Sequence, residues 1–154
     1  MPKTEIDFAD IENSVGMESE WTDWVEVKQE KINLFADATG DHQWIHVDIE
    51  KAKKGPFGGP IAHGYYSVAI LAAPEFACFN IKGVKMGVNY GLNKVRFPAP
   101  VPVGKRIHAK ATVKSVTKID KPMPGFQIEQ SVELWVEGNK KPSMVAETLS
   151  RLFG

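Results

Sequence analysis

The spacing of apolar residues changes character midway along the chain. Up to about residue 80 it follows helical intervals or merges into unbroken runs; beyond that it alternates with polar residues, the two-residue period of strands. Ile6, Phe8, Ile11 and Val15 recur at roughly helical spacing and are closed by Gly16, which predicts a short amphipathic packing arm over residues 3–20. Trp24, Val25 and Val27 predict a first short strand. Ile32, Leu34, Phe35 and Ala38 then predict a helix over 29–38, ended by Gly40. Residues 41–60 show no period, and Gly55, Pro56, Gly58, Gly59 and Pro60 hold the second half irregular. Trp44, Ile45, Val47 and Phe57 in that stretch need covering, so an ordered loop is predicted. Over residues 61–80 apolar side chains leave almost no polar face, the pattern of a helix enclosed by the rest of the chain, with Pro74 kinking or restarting it.

The second half predicts strands at 84–90, 92–97, 106–118, 127–137 and 144–153, with turns at 98–104, 120–125 and 137–142. Val132, Leu134 and Val136 alternate with Ser131, Glu133, Trp135 and Glu137, so that strand has one covered face. Long antiparallel strands following one enclosed helix imply an α+β chain whose sheet curls around the helix. No repeat or linker divides residues 1–154, and one domain is expected.

Composition narrows the function classes. Apolar residues make up 43% and charged residues 25%, ordinary for a folded globular chain. Lys plus Arg equals Asp plus Glu at 19 each, so no overall field recruits nucleic acid or an anionic membrane. No apolar run approaches the roughly 20 residues of a membrane span. Cys78, flanked by Phe76, Ala77 and Phe79, reads as a buried small hydrophobe in a reducing compartment. With no signal-peptide plan at the N-terminus, the expected location is the cytoplasm.

The candidate chemistry sits between Phe35 and Ser67. Asp41 and His46 share one short turn, where a carboxylate and an imidazole can hold and polarise a water molecule. The helix start at His63 and Gly64 offers backbone N–H groups and a positive dipole end to a developing oxyanion. An Asp after a Gly is by itself commonly a turn residue, and an isolated His is usually surface or satisfied core. It is their combination that points to acid–base work on water.

Gly40-Asp41-His42-Gln43-Trp44-Ile45-His46, then Gly59-Pro60-Ile61-Ala62-His63-Gly64, then Asn93-Lys94-Val95-Arg96-Phe97 with Pro100, Val101 and Gly104, together resemble the MaoC-like family. These are (R)-specific enoyl-CoA hydratases of the hotdog fold, and GDHQWIHVD is nearest the branch related to nodulation protein N. The resemblance covers most of residues 25–153. The family motif usually reads G-D-x-N-P-[IL]-H; here Gln43 and Trp44 stand in place of Asn and Pro, which bears on the turn between the catalytic pair.

By resemblance, Asp41 and His46 carry the catalytic roles and the Gly64 N–H receives the oxyanion. The implied reaction is reversible syn addition of water to a trans-2-enoyl-CoA, giving (R)-3-hydroxyacyl-CoA, with the coenzyme A thioester as substrate and no cofactor or metal. His63 either packs the helix start or lies beside the thioester. Ser67 reads as a helix-surface serine, with hydrogen bonding near the substrate carbonyl as the alternative. His42 reads as solvent-facing and His108 as structural. For the coenzyme A phosphates the candidates are Arg96 and Lys94, then Lys53 and Lys54. The resemblance also implies a homodimer whose sheets join edge to edge, with the active sites near that interface. Two other functions compete: a hotdog thioesterase, in which water attacks the thioester carbonyl, and a non-catalytic acyl-CoA-binding protein in which the altered turn has moved the pair out of register.

Overall fold

The computed structural model describes residues 4–154, so Lys3, the first residue of the expected arm, lies outside the described residues. Strand β1 (Thr4–Asp7) leads into a 3-10 turn (Phe8–Ser14), followed by β2 (Val25–Glu26) and helix α1 (Gln29–Thr39). Short helices α2 (Trp44–Val47), α3 (Ile49–Lys53) and α4 (Gly64–Ala69) come next, then β3 (Phe79–Lys82), β4 (Met86–Arg96), β5 (Arg106–Ile119), β6 (Gly125–Val136) and β7 (Met144–Phe153). A five-stranded antiparallel sheet in the order β2-β5-β6-β7-β4 curls against the helices, the α+β hotdog arrangement.

The period-2 pattern builds the sheet's covered face. Ile107, Ala109 and Ala111 on β5 stand opposite Val136, Leu134 and Val132 on β6, and all six are buried. Ala146 and Leu152 on β7 continue this face. Tyr66, Val68, Ile70 and Leu71 of the helical segment pack onto it.

Four expectations need correction. The opening arm is a strand and a 3-10 turn rather than a helix: Ile6 pairs with Ile81 in a parallel β1–β3 ladder, which no local spacing could announce. Further along, the Gly16, Ser19 and Thr22 N–H groups donate to the Val113, Ala111 and Ala109 carbonyls and cover the outer edge of β5. Residues 41–60 are not a plain loop, because α2 and α3 occupy them; the Asp48 carboxylate caps α3 by accepting the Lys51 N–H at 3.1 Å. Phe57 nevertheless stays exposed.

The expected enclosed helix over 61–80 is the third. Its regular part is α4, which tightens to a 3-10 turn at Ile70–Ala72, restarts at Pro74 as anticipated, and yields to β3 by Phe79. One side packs on the sheet while the other is open, with Tyr65 77% exposed. Among the described residues nothing covers that second side. Strand β4 is uncovered in the same way: it forms the sheet's end and exposes Met86, Val88, Tyr90 and Leu92. It is one continuous strand with register shifts at Asn89/Gly91 and Leu92/Lys94, where two separate strands were expected.

Candidate functional site

The site begins where α1 stops. Gly40 adopts φ 86°, a left-handed conformation that glycine takes without a Cβ penalty, and its N–H closes the helix on the Ala36 carbonyl at 2.8 Å. The chain is thereby turned so that Asp41 leads out of the helix into α2. Gln43 is extended (φ −58°, ψ 138°) and its N–H donates to the Asp41 carboxylate at 3.3 Å. Trp44 then takes the first position of α2, the place where proline is favoured for its preset φ. Its ring lies against Gly55, where an added Cβ would come within 2.9 Å, and under the Lys51 ammonium at 4.7 Å. Packing of the indole holds the turn that a proline ring would otherwise stiffen.

His46 is only 6% exposed. Its Nδ1 donates to the Ile61 carbonyl at 2.7 Å, while the Ile61 N–H donates to the Ile45 carbonyl at 3.0 Å, so α2 and the strand-like stretch before α4 clamp each other. Gln29 of α1 adds a side-chain bond to the His46 backbone carbonyl at 2.8 Å. Burial pulls the His46 pKa below the usual histidine value. The Ile61 carbonyl opposes this, His63 reinforces it and the Asp41 carboxylate opposes it.

His63, 2% exposed, is the residue whose place the sequence left open. Its ring stacks on His46 with centroids 3.9 Å apart and receives the edge of Phe35 at 5.0 Å. The His63 Nε2 donates to the Asp41 backbone carbonyl at 2.9 Å, which pins the acidic residue to the helix start. One carboxylate oxygen of Asp41 and one ring nitrogen each of His46 and His63 lie within 4.8 Å of one another. Asp41 itself is exposed, so the cluster sits at a boundary between protein and solvent.

Gly64 opens α4, where a backbone N–H has no carbonyl within the helix to bond. The Phe97 ring lies close over it; a Cβ at Gly64 would be 3.0 Å from that ring. A cavity of ≈ 360 Å³ adjoins this point, lined by His46, Gly64, Ser67, Phe57, Phe97 and Ser143. Ser67 is therefore not the helix-surface serine that its position suggested: it is 2% exposed, because this face of α4 turns toward the loop that carries His46. A second cavity of ≈ 430 Å³ lies further along the same helical segment, among Val68, Leu71, Phe76, Tyr90, Leu92 and Thr148.

The other candidates lie elsewhere. Lys94 and Arg96 are exposed on β4 and do not line the His46 cavity, and the Arg96 guanidinium bonds the Val95 carbonyl at 2.7 Å. Lys53 pairs with Glu50 on the surface. His42 pairs with Asp37 at 2.9 Å, also on the surface, and this bond raises its pKa. His108 is sandwiched between Trp21 and Trp24 at 4.1 and 3.5 Å. Sequence reasoning missed Phe97 and Ser143 as cavity walls. Phe97 stood within the matched motif and offered a signal; Ser143, brought in from the turn before β7, offered none.

The profile of the MaoC like domain matches residues 10–139. The 3-hydroxyacyl-thioester dehydratase Z of Mycobacterium tuberculosis is 49% identical over 143 residues, 93% of each chain. Nodulation protein N of Rhizobium leguminosarum bv. viciae is 37% identical over 148 residues, 95% of this chain and 91% of that one. The X-ray structure of the monoamine oxidase regulatory protein from Archaeoglobus fulgidus superimposes with a TM-score of 0.75 at 25% identity, covering 99% of this chain and 97% of that one.

Proposed function

Because the chain belongs to the MaoC-like domain family, we propose that it is a lyase that adds water to trans-2-enoyl-CoA to give (R)-3-hydroxyacyl-CoA, and that dehydrates in reverse. The observation that carries this reading is the meeting of Asp41 and His46 within 4.8 Å, despite the altered Gln43-Trp44 turn. It speaks against a binding relative whose pair has drifted apart. It also fits attack at C3 by a water held between two acceptors.

The roles follow from the hydrogen bonds. The Ile61 carbonyl occupies His46 Nδ1–H, so in the neutral ring the Nε2 lone pair is the free base. The depressed pKa keeps that lone pair available near neutral pH. His46 takes the proton as the water oxygen bonds C3, and the Asp41 carboxylate orients the water by accepting its second hydrogen. Negative charge on the thioester oxygen is received by the Gly64 N–H, with Ser67 Oγ as a second donor. The imidazolium then returns its proton to C2 on the same face, and the net change is one water added. His63 fixes the position of Asp41. The cavity beyond Val68 has room for an acyl chain, and Arg96 and Lys94, exposed on β4, are the candidates for the coenzyme A phosphates.

A homodimer completes the proposal. An eleven-residue strand at the sheet's end with exposed Met86, Val88, Tyr90 and Leu92 is a natural pairing edge, and a second copy would cover it and the open side of α4. Among the described residues no helix is long and apolar enough to cross a membrane, and a cytoplasmic location is proposed.

Crotonyl-CoA tests the reading. Loss of the conjugated-thioester absorbance without free thiol is expected, and Asp41→Asn should lower turnover at least about a hundredfold. Thiol release would instead identify a thioesterase. Binding with neither signal would identify an acyl-CoA-binding protein.

A further inference from the structure

A polar row interrupts the covered face of the sheet. Residues directly opposite one another on paired strands share a face. Gln130 of β6 stands opposite Val113 of β5 and Thr148 of β7, and Ser150 of β7 stands opposite Ile128 of β6. Val113 and Ile128 belong to the core, so Gln130, Thr148 and Ser150 point toward the helical segment. Asn89 of β4 lies opposite Ser150 and carries the row to the sheet's end. The alternation that places Ile128, Val132 and Ala146 on this face would put apolar residues at these positions too. All four polar residues line the cavity of ≈ 430 Å³ that runs along Val68 and Leu71. Gln130, Thr148 and Ser150 are half-buried, and none of the four side chains has a hydrogen-bond partner among the described residues. Among those residues no charged side chain lines the cavity either.

We propose that this cavity recognises an acyl chain carrying a neutral oxygen function, a hydroxyl or a carbonyl, beyond C4, so that the substrate class is oxygenated trans-2-enoyl thioesters rather than plain alkyl ones. This deepens the hydratase reading and rests on it. A plain alkyl chain in the cavity would cut Gln130, Thr148 and Ser150 off from water and return no hydrogen bond. An oxygen function is met instead by two hydroxyls and an amide, each able to donate and to accept. A carboxylate or an ammonium group would lose its water with no opposite charge to meet it. The placement along the chain follows from α4 and the turn after it. Ser67 lines the cavity at His46, and Val68 to Ala72, which line this one, follow it within about 8 Å at the helical rise. The oxygen therefore belongs some carbons past the reacting double bond.

Comparison of kcat/KM for trans-2-octenoyl-CoA and its hydroxy and oxo derivatives at C5, C6 and C7 tests the inference. Crotonyl-CoA, whose chain ends at C4, reports hydration itself. At least one oxygenated chain is expected to exceed octenoyl-CoA about tenfold or more, because a site built to bond an oxygen rejects the chain that lacks it. Thr148→Val combined with Ser150→Ala removes two hydroxyls with little change of shape and should bring that ratio close to one; Gln130→Leu reads the same ratio at the third polar group. The ratio separates recognition from folding, since a damaged fold lowers turnover of both chains together. Octenoyl-CoA hydrated as well as every oxygenated derivative, or a ratio that these substitutions leave unchanged, overturns the inference, while crotonyl-CoA turnover keeps the hydratase reading. Failure to hydrate crotonyl-CoA and every longer chain overturns both.

Discussion

Replacing His46 separates its two jobs, because they use different ring nitrogens. Nδ1–H satisfies the Ile61 carbonyl at 2.7 Å, and Nε2 is the proposed base. In His46→Asn the amide NH₂ stands where Nδ1 stood and can still donate to that carbonyl, but no basic nitrogen remains. A positioned base contributes about a hundred- to ten-thousand-fold, or roughly 3–5 kcal/mol of barrier. The expected result is thus a turnover loss of at least about a hundredfold with a melting temperature within a few degrees of the parent. His46→Ala loses both functions: an unmet buried carbonyl costs about 1–3 kcal/mol, and each kilocalorie lowers Tm by roughly 2–4 °C in a chain of this size. Crotonyl-CoA hydration at saturating substrate and thermal unfolding by circular dichroism read the two effects. An Asn variant that retains more than about a tenth of parental turnover refutes His46 as the base. Equal melting losses in the two variants refute the account of the Ile61 bond.

Other expectations follow from single contacts. Gly64→Ala would set a Cβ 3.0 Å from the Phe97 ring, which is 44% exposed and free to yield. Stability should hardly change, while kcat/KM falls about tenfold or more as the ring shifts in the cavity mouth; unchanged kinetics would mean that Phe97 is no wall of the substrate site. Burial depresses the pKa of His46 and of His108, so each contributes stability that is fully present above the unfolded histidine value of about 6.5 and is lost as pH falls through the lower folded value. Urea midpoints should therefore drop between pH 7 and pH 5, although His42, with its raised pKa, works in the opposite direction; a rise on acidification contradicts the burial argument. Cys78 has its thiol pushed up to about 11 by burial. At pH 8 it should carry roughly a hundredfold less thiolate than an unburied cysteine and alkylate correspondingly slowly until the chain is unfolded. Rapid labelling of the native protein would show that the thiol is accessible.

Residue identity and short-range spacing settled much of the outcome. Two-residue alternation marked β5, β6 and β7 because one face of each is covered along its length, and Gly40 marked the end of α1 because a left-handed turn favours glycine. The motif residues Asp41 and His46 were legible as a pair for the same local reason, only a few positions separating them in one turn. Tertiary structure decided what depends on surfaces far apart in the sequence. The apolar run after Ile61 could not say which side of α4 would be covered, since that is set by where the sheet lies, and so Ser67 is buried while Tyr65 faces solvent. Nor could it announce that β1 would pair with β3, since a ladder needs only two edges that meet. The role open to His63 also came from folding: its ring is held by the Asp41 carbonyl and stacked on His46, contacts that form only when α2 and the start of α4 close on each other. Local propensity chose the elements and the reactive residue types, while long-range packing chose which nitrogen and oxygen atoms face one another.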